Sequence, residues 1–123
     1  MKRRKMIEAD TAYVLSLKAS KAARAHMSKA RPLMRAGKAN EFYAELFKLM
    51  QAYLGIRLVR PPDGVTGEIV RLLGSDDARK VSAVFDDFYL ARYAPLKIDK
   101  DDMVSSLEKV KEALDSMEKK RAL

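Results

Sequence analysis

Few side chains in this sequence combine the type and the spacing that catalysis or metal binding requires. His26 is the only histidine, and it lies in a stretch rich in lysine and arginine without a nearby carboxylate. A histidine that ligates a metal or transfers protons needs such partners beside it. We therefore expect His26 to be structural rather than a ligand or a catalytic base.

Three aspartates near the C-terminus, Asp99, Asp101 and Asp102, are spaced like the first ligands of a calcium loop. Such a loop needs a glycine at its sixth position and a bidentate glutamate at its twelfth. Counted from Asp99, those positions hold Val104 and Val110. Helix capping explains the aspartates better, and we expect no metal or other cofactor.

The adjacent carboxylates Asp86 and Asp87 could form a catalytic acid–base pair only if they converged on one substrate. On a helix, neighbouring residues point about 100° apart. We expect both to lie on a solvated helix face.

Residues 63–67, Asp-Gly-Val-Thr-Gly, contain the glycines of a phosphate-binding loop. The Gly-Lys-Ser/Thr ending and the preceding strand that such a loop requires are both missing. The segment is interpreted as a turn that leads into a helix.

The turn at Gly74 lies between two predicted helices, as in a helix-turn-helix DNA-binding motif. The second helix would enter the groove with Asp76 and Asp77, which repel phosphate, although Arg79 and Lys80 follow. Specific DNA binding is therefore disfavoured, and nucleic acid is an unlikely partner.

The excess positive charge is confined to the first third of the chain. Residues 1–40 contain 11 Lys or Arg against 2 Asp or Glu, whereas residues 41–123 contain 14 against 15. The basic segment begins with Lys2, Arg3, Arg4 and Lys5. It predicts an anionic partner, which can be a phospholipid surface, a nucleic acid or an acidic protein.

Length and composition predict one soluble domain. The chain has 123 residues, of which 48% are hydrophobic, and it contains no cysteine. Disulfides and thiolate chemistry are therefore excluded, and no apolar run approaches the roughly 18 residues of a membrane span. We divide the chain into a basic arm over residues 1–9 and a single helical domain over residues 10–123.

Scarce aromatic residues and scattered β-branched residues indicate an all-α fold. Turn signals divide the chain into about five helices, which we expect to form a compact, mostly antiparallel bundle. The expected helices begin at about Asp10, Asn40, Thr66, Ser75 and either Asp99 or Asp101.

Apolar spacing predicts the buried face of each helix. The first helix has a mostly alanine stripe, Gly37 caps it, and Pro32 disturbs its last turn. The second helix is apolar on several faces and should lie in the middle of the bundle. The stripe of the first helix contains Leu15, Ala19, Ala22, Ala23, Met27, Ala30 and Met34, and the inner face of the last contains Val104, Leu107, Val110, Leu114 and Met117.

One segment, residues 85–95, has the sequence Phe-Asp-Asp-Phe-Tyr-Leu-Ala-Arg-Tyr-Ala-Pro and ends a helix with Arg92-Tyr93-Ala94-Pro95. Upstream lie Phe-Tyr-Ala-Glu-Leu at 42–46 and Tyr-Leu-Gly at 53–55. Together with the Arg/Lys/Ala-rich first helix, this order resembles the C-terminal cytoplasmic tail of BatD-type aerotolerance proteins of bacteria. The resemblance covers nearly the whole chain, although the β-rich portion and the membrane span of the family are absent from it.

The resemblance implies a non-enzymatic protein-interaction domain on the cytoplasmic face of the bacterial inner membrane. Its implied partners are von Willebrand A-domain membrane proteins, a MoxR-type AAA+ ATPase and tetratricopeptide proteins of an aerotolerance system. Residues 2–5 would follow a transmembrane helix, where basic residues are favoured and can contact anionic lipid. The motif residues Tyr53, Phe85, Arg92, Tyr93 and Pro95 are expected to be structural.

Within the motif we expect the Tyr93 ring to be buried between the fourth and second helices, with its hydroxyl bonded at the edge. Arg92 should lie near the C-terminus of its helix and pair with an acidic neighbour. The alternative function is a small basic nucleic-acid-binding protein that uses its first helix as the contact face.

Overall fold

The structure is a computed structural model that describes residues 2–61, 64–65, 71–94 and 98–119, with only the backbone of residues 2–10 and 12. Four α-helices account for most of the described residues, and no strand occurs among them. They are α1 (Lys2–Arg35), α2 (Ala39–Leu58), α3 (Ser75–Tyr93) and α4 (Lys100–Glu118). The all-α prediction is confirmed.

The predicted count of about five helices is slightly too high for the described part of the chain. The helix expected to begin at Thr66 falls largely outside the described residues, and Arg71 and Leu72 near its predicted end form a 3₁₀ turn. Four helices instead pack in sequence, with α1 against α2 and α3 against α4.

Contacts between side chains give the helix directions. Asp77 and Asp87 of α3 bond to Ser116 and Ser106 of α4, so these two helices are antiparallel. Ser16 of α1 meets Arg57 near the end of α2, which makes α1 and α2 antiparallel as well. The result is an up-down-up-down bundle in which both α2 and α4 contact the other helices.

The first helix begins at Lys2, so the prediction of a start at Asp10 is wrong and the basic arm is part of α1. A helix of 34 residues is about 51 Å long, against about 30 Å for the 20 residues of α2. Because Ser16 lies opposite Arg57, residues 2–14 extend past Leu58, the last residue of α2.

The cap of α1 at Gly37 follows the sequence prediction, whereas the expected disturbance of the last turn by Pro32 does not occur. Pro32 lies inside the helix and lacks the backbone N–H that would donate to the carbonyl of Ser28. The helix accommodates it because both Pro32 and Ser28 lie on the exposed face. Gly37 adopts a φ of 71°, the Gly37 amide donates to Met34 O, and the Lys38 amide donates to Leu33 O. This is a Schellman motif, for which glycine is favoured.

Packing follows the predicted apolar stripes. Ala19, Ala23 and Ala30 of α1 are fully or almost fully buried, which lets α2 approach closely. The predicted central position of α2 is confirmed by its eight buried residues, Phe42, Tyr43, Leu46, Leu49, Met50, Tyr53, Leu54 and Gly55.

The predicted start of α3 at Ser75 is confirmed, with Gly74 as the residue before it. Two smaller expectations are corrected. The second helix begins at Ala39, one residue before Asn40. In α4, Val104 is exposed because the inward stripe begins one residue earlier, at Met103. Asp99 is the N-cap of α4, and a reciprocal capping box with Asp102 fixes that helix start.

Candidate functional site

The C-terminal half of α3 leaves large apolar side chains in solvent. Tyr89 is 47% exposed, Leu90 63% and Tyr93 80%. Arg92, in the last turn of the same helix, is also exposed. We call these four residues the α3 patch. Aromatic residues and arginine are the side chains most often responsible for affinity in protein interfaces.

A cluster of aromatic rings beneath the α3 patch joins α3 to α2. Phe85 and Phe88 lie 5.6 Å apart edge to face, and Phe47 lies edge-on to both, at 6.0 and 5.7 Å. The Tyr43 ring lies 6.5 Å from that of Phe88. Each such pair contributes about 0.5–1.5 kcal/mol beyond its buried area, so these rings help to hold α2 against α3 beneath the patch.

A cleft of about 420 Å³ opens between α2 and α3 beside the patch. One wall comes from the first half of α2 and the other from the second half of α3. Its lining residues are Asn40, Tyr43, Ala44, Phe47, Phe88, Tyr89, Ala91 and Arg92. Ala44 is exposed, and of the aromatic rings that line the cleft Phe47 is partly exposed, whereas Tyr43 and Phe88 are buried.

On the opposite side of α3, a second recess of about 350 Å³ places the polar side chains of Asp87, Ser106 and Lys109 beside apolar residues such as Leu90 and Ile98. Ser106 donates to Asp87 Oδ2 at 2.7 Å, and Lys109 Nζ lies 3.1 Å from Asp87 Oδ1. Tyr43 Oη and Ser106 Oγ are 2.8 Å apart. Burial raises the pKa of Tyr43, and the negative charge of Asp87 adds to that shift. Asp86 is exposed as predicted, but Asp87 is held between helices rather than solvated.

A hydrogen-bond network ties three helices together at the other end of the bundle. Glu118 of α4 accepts from Ser16 and Ser20 of α1, and from Tyr53 of α2 at 3.2 Å. Arg57 of α2 donates to Ser16 Oγ at 3.2 Å and to Tyr53 Oη at 3.3 Å. Tyr53 is fully buried, and the structural role expected for this motif residue stays a prediction.

His26 does have a carboxylate partner, contrary to the sequence expectation. Its Nδ1 lies 2.9 Å from Glu45 Oε1, and both side chains are largely buried. The sequence does not indicate this pair, because Glu45 is 19 residues from His26 and lies beside it only through the antiparallel packing of α1 on α2. The pair joins two helices, as a structural histidine would.

The remaining predicted site residues differ in their burial. Phe85 is buried, Arg92 is exposed and makes no ion pair with another described residue, and Pro95 lies outside the described residues. The expectation of a buried Tyr93 is wrong. Ala91 faces the core, and Tyr93 lies two residues after it. Two residues of an α-helix turn a side chain by about 200°, so Tyr93 points away from the core.

The basic arm, Lys2, Arg3, Arg4 and Lys5, occupies the first turn of α1, on the part of that helix that extends past α2. The exposed face of α1 within the bundle is basic as well. Lys18, Lys21, Arg24, Lys29 and Arg31 are all exposed, as the sequence predicted.

Within the described ranges, no three side chains from His, Cys, Asp and Glu come together as metal ligands. Asp99 and Asp102, the first candidates for calcium, are bonded to backbone amides in the capping box. No helix in the described part of the chain is long and apolar enough to span a bilayer.

Comparison of this chain with known protein families, with curated proteins and with solved structures finds no match.

Proposed function

We propose that this chain is a non-enzymatic protein-interaction domain, the cytosolic tail of a membrane-anchored BatD-like aerotolerance protein at the bacterial inner membrane. The α3 patch is the observation that carries the proposal. The patch exposes the apolar surface of Tyr89, Leu90 and Tyr93 to solvent next to Arg92. These residues belong to the segment that resembles BatD-type proteins. Contiguous exposed apolar surface of this kind marks a protein contact.

The positions of the ionisable groups support a structural rather than a catalytic use. His26 pairs with Glu45 between α1 and α2, and Asp87 pairs with Lys109 between α3 and α4. Among the described residues, no hydroxyl group is hydrogen-bonded to His26 or Glu45, so none is placed for His26 to activate as a nucleophile. These groups hold helices together.

The long first helix supports a membrane tether. Lys2, Arg3, Arg4 and Lys5 are on the same continuous helix as the bundle, so a preceding span would hold the domain close to the bilayer. Tethering raises the local concentration of the domain near other membrane proteins, and weak contacts then suffice. The gene sequence before Lys2 tests the tether: we expect about 20 consecutive apolar residues there, and their absence contradicts it.

Binding to purified candidate partners tests the interaction role. We expect the domain to bind a von Willebrand A-domain protein, a MoxR-type AAA+ ATPase or a tetratricopeptide protein encoded in the same genome, with micromolar affinity. Replacing Tyr93 by alanine should weaken that binding about tenfold or more, because exposed aromatic side chains dominate interface energies. Val104→Ala on α4 is the matched control and should bind like the wild type. No binding to any of the three classes refutes the proposal.

Nucleic-acid binding is the second candidate, and the exposed basic face of α1 favours it. This face contains five exposed basic residues. They are Lys18, Lys21, Arg24, Lys29 and Arg31. Such a face would neutralise phosphates with a steep dependence on salt. This candidate predicts that duplex affinity falls with salt and is lost when residues 2–5 and the exposed lysines of α1 are neutralised. Affinity that does not change with salt refutes it.

A further inference from the structure

The cleft between α2 and α3 has the shape of a site for a third helix. Its two walls are antiparallel helices, Ala44 and Ala91 supply little side chain, and Phe47 and Phe88 form the apolar base. Small residues allow a backbone to approach, while aromatic rings offer flat surface to apolar side chains. An amphipathic helix binds in such a groove through apolar residues spaced three, four and seven apart.

Charge distinguishes the two ends of the cleft. Because α2 and α3 run in opposite directions, Asn40 and Arg92 lie at the same end. Arg92 is exposed and has no ion pair with another described residue, and Asn40 presents an exposed amide. A planar guanidinium beside apolar surface fits a carboxylate, to which it can donate two parallel hydrogen bonds.

We propose that this cleft binds a short amphipathic helix of a partner protein, with apolar side chains against Phe47 and Phe88 and an Asp or Glu paired with Arg92. The inference rests on the proposed function and specifies the chemistry of the partner. It concerns the cleft, whereas the partner-binding experiment above concerns the identity of the partner.

Selection from a library tests this chemistry without knowledge of the partner. The probe is a phage-displayed library of random 16-residue peptides, selected on the purified full chain. We expect the enriched peptides to share an apolar spacing of three, four and seven residues, with an acidic residue at one end. An individual enriched peptide should then bind the free domain in solution.

Two variants at exposed positions locate the binding. Ala44→Trp fills the cleft and should abolish peptide binding. Arg92→Glu should weaken it on the order of tenfold, and a peptide whose acidic residue is changed to arginine should recover affinity for that variant. Ala25→Trp and Lys29→Glu on the exposed face of α1 are the matched controls and should bind as the wild type does. Far-ultraviolet circular dichroism checks that each variant keeps its helical content.

The proposal is overturned if no peptide is enriched, if the enriched peptides carry no acidic preference, or if Ala44→Trp binds as tightly as the wild type. If acidic peptides bind in the cleft but no aerotolerance protein binds the domain, the cleft chemistry stands and the proposed function fails. If a partner binds through Tyr93 while Ala44→Trp has no effect on any peptide, the proposed function stands and the cleft inference fails.

Discussion

Glu118 shows how a single residue holds the far end of the bundle together. It lies in the last turn of α4 and accepts hydrogen bonds from Ser16 and Ser20 of α1 and from Tyr53 of α2. A buried hydroxyl that loses its acceptor keeps the desolvation cost without the compensating bond. Glu118 therefore contributes to stability through three helices at once.

Replacing Glu118 by alanine should lower the free energy of unfolding by about 2 kcal/mol, because three hydroxyl groups around it lose one of their hydrogen-bond partners. Urea denaturation of the purified domain measures this. Glu112→Ala, at an exposed position of the same helix, is the control and should change stability by less than about 0.5 kcal/mol. Equal effects of the two substitutions would show that the network does not stabilise the fold.

Tyr43 should make stability depend on alkaline pH. Burial raises its pKa above the ordinary value of 10.0, so the folded state favours the protonated phenol. The resulting contribution to stability is complete below about pH 10 and is lost as pH rises through the raised pKa.

We therefore expect the free energy of unfolding to fall more steeply above pH 10 in the wild type than in Tyr43→Phe. Urea denaturation at a series of pH values measures the slope. Tyr89→Phe, at an exposed ring, should keep the wild-type slope. A Tyr43→Phe variant with an unchanged slope contradicts the assignment.

Single residues are also where sequence reasoning is weakest. Asp77 is buried and accepts a hydrogen bond from Ser116 at 2.5 Å, a packing role that its charged side chain does not suggest. Its spacing of four and seven residues before Val81 and Val84 was the available signal. The contacts of His26 and Asp87 were beyond prediction, since their partners come from other helices and depend on packing.

At the scale of elements, the ends of helices are decided by backbone geometry. Val59 ends α2 with a φ of 54°, in the left-handed region that β-branched residues disfavour. Its amide caps the helix by donating to Gly55 O and Ile56 O. Glycine adopts this conformation without the steric cost of a Cβ.

Val59→Gly should therefore raise the free energy of unfolding by about 1 kcal/mol, the relief of left-handed strain exceeding the entropy cost of glycine. Thermal or urea unfolding measures the change. Val104→Gly, in the exposed middle of α4, should instead destabilise by roughly 1 kcal/mol. A lower free energy of unfolding in Val59→Gly than in the wild type would contradict the claim that Val59 is strained.

Local signals predicted most of the elements but not all of their bounds. Gly37 and Asp99 mark helix ends correctly, because a left-handed glycine and a capping aspartate act through neighbouring backbone atoms. The start of α1 was misplaced because Asp10 has the residue type of a cap, whereas the helix runs through it to Lys2. The exposure of Tyr93 follows from helical rotation, because two residues turn its side chain about 200° away from the face of Ala91.

At the scale of the whole molecule, the bundle separates two surfaces. The basic arm begins α1, which extends past the end of the bundle where Glu118 and Arg57 lie. The α3 patch lies at the opposite end, near Asn40 and the start of α2. A domain held to a membrane at one end would present its patch away from that membrane.

The arm should bind anionic vesicles. We expect the domain to co-sediment with vesicles containing phosphatidylglycerol at low salt more than with neutral ones, at about 1 kcal/mol per basic residue near the surface. Changing Lys2, Arg3, Arg4 and Lys5 to glutamine should abolish the difference. The same change at four exposed lysines elsewhere, Lys29, Lys38, Lys48 and Lys111, should leave most of it. Equal retention by anionic and neutral vesicles contradicts a membrane-facing arm.

The central claim is that the α3 patch contacts another protein in the cell, and photocrosslinking tests it most directly. A photoreactive amino acid is placed at Tyr93 and, in a control, at the exposed Glu112 of α4, in the full-length protein in its native cell. We predict a discrete product at position 93 that contains a von Willebrand A-domain, MoxR-type or tetratricopeptide protein and does not form at position 112. Identical products at both positions, or none at position 93, would contradict the account.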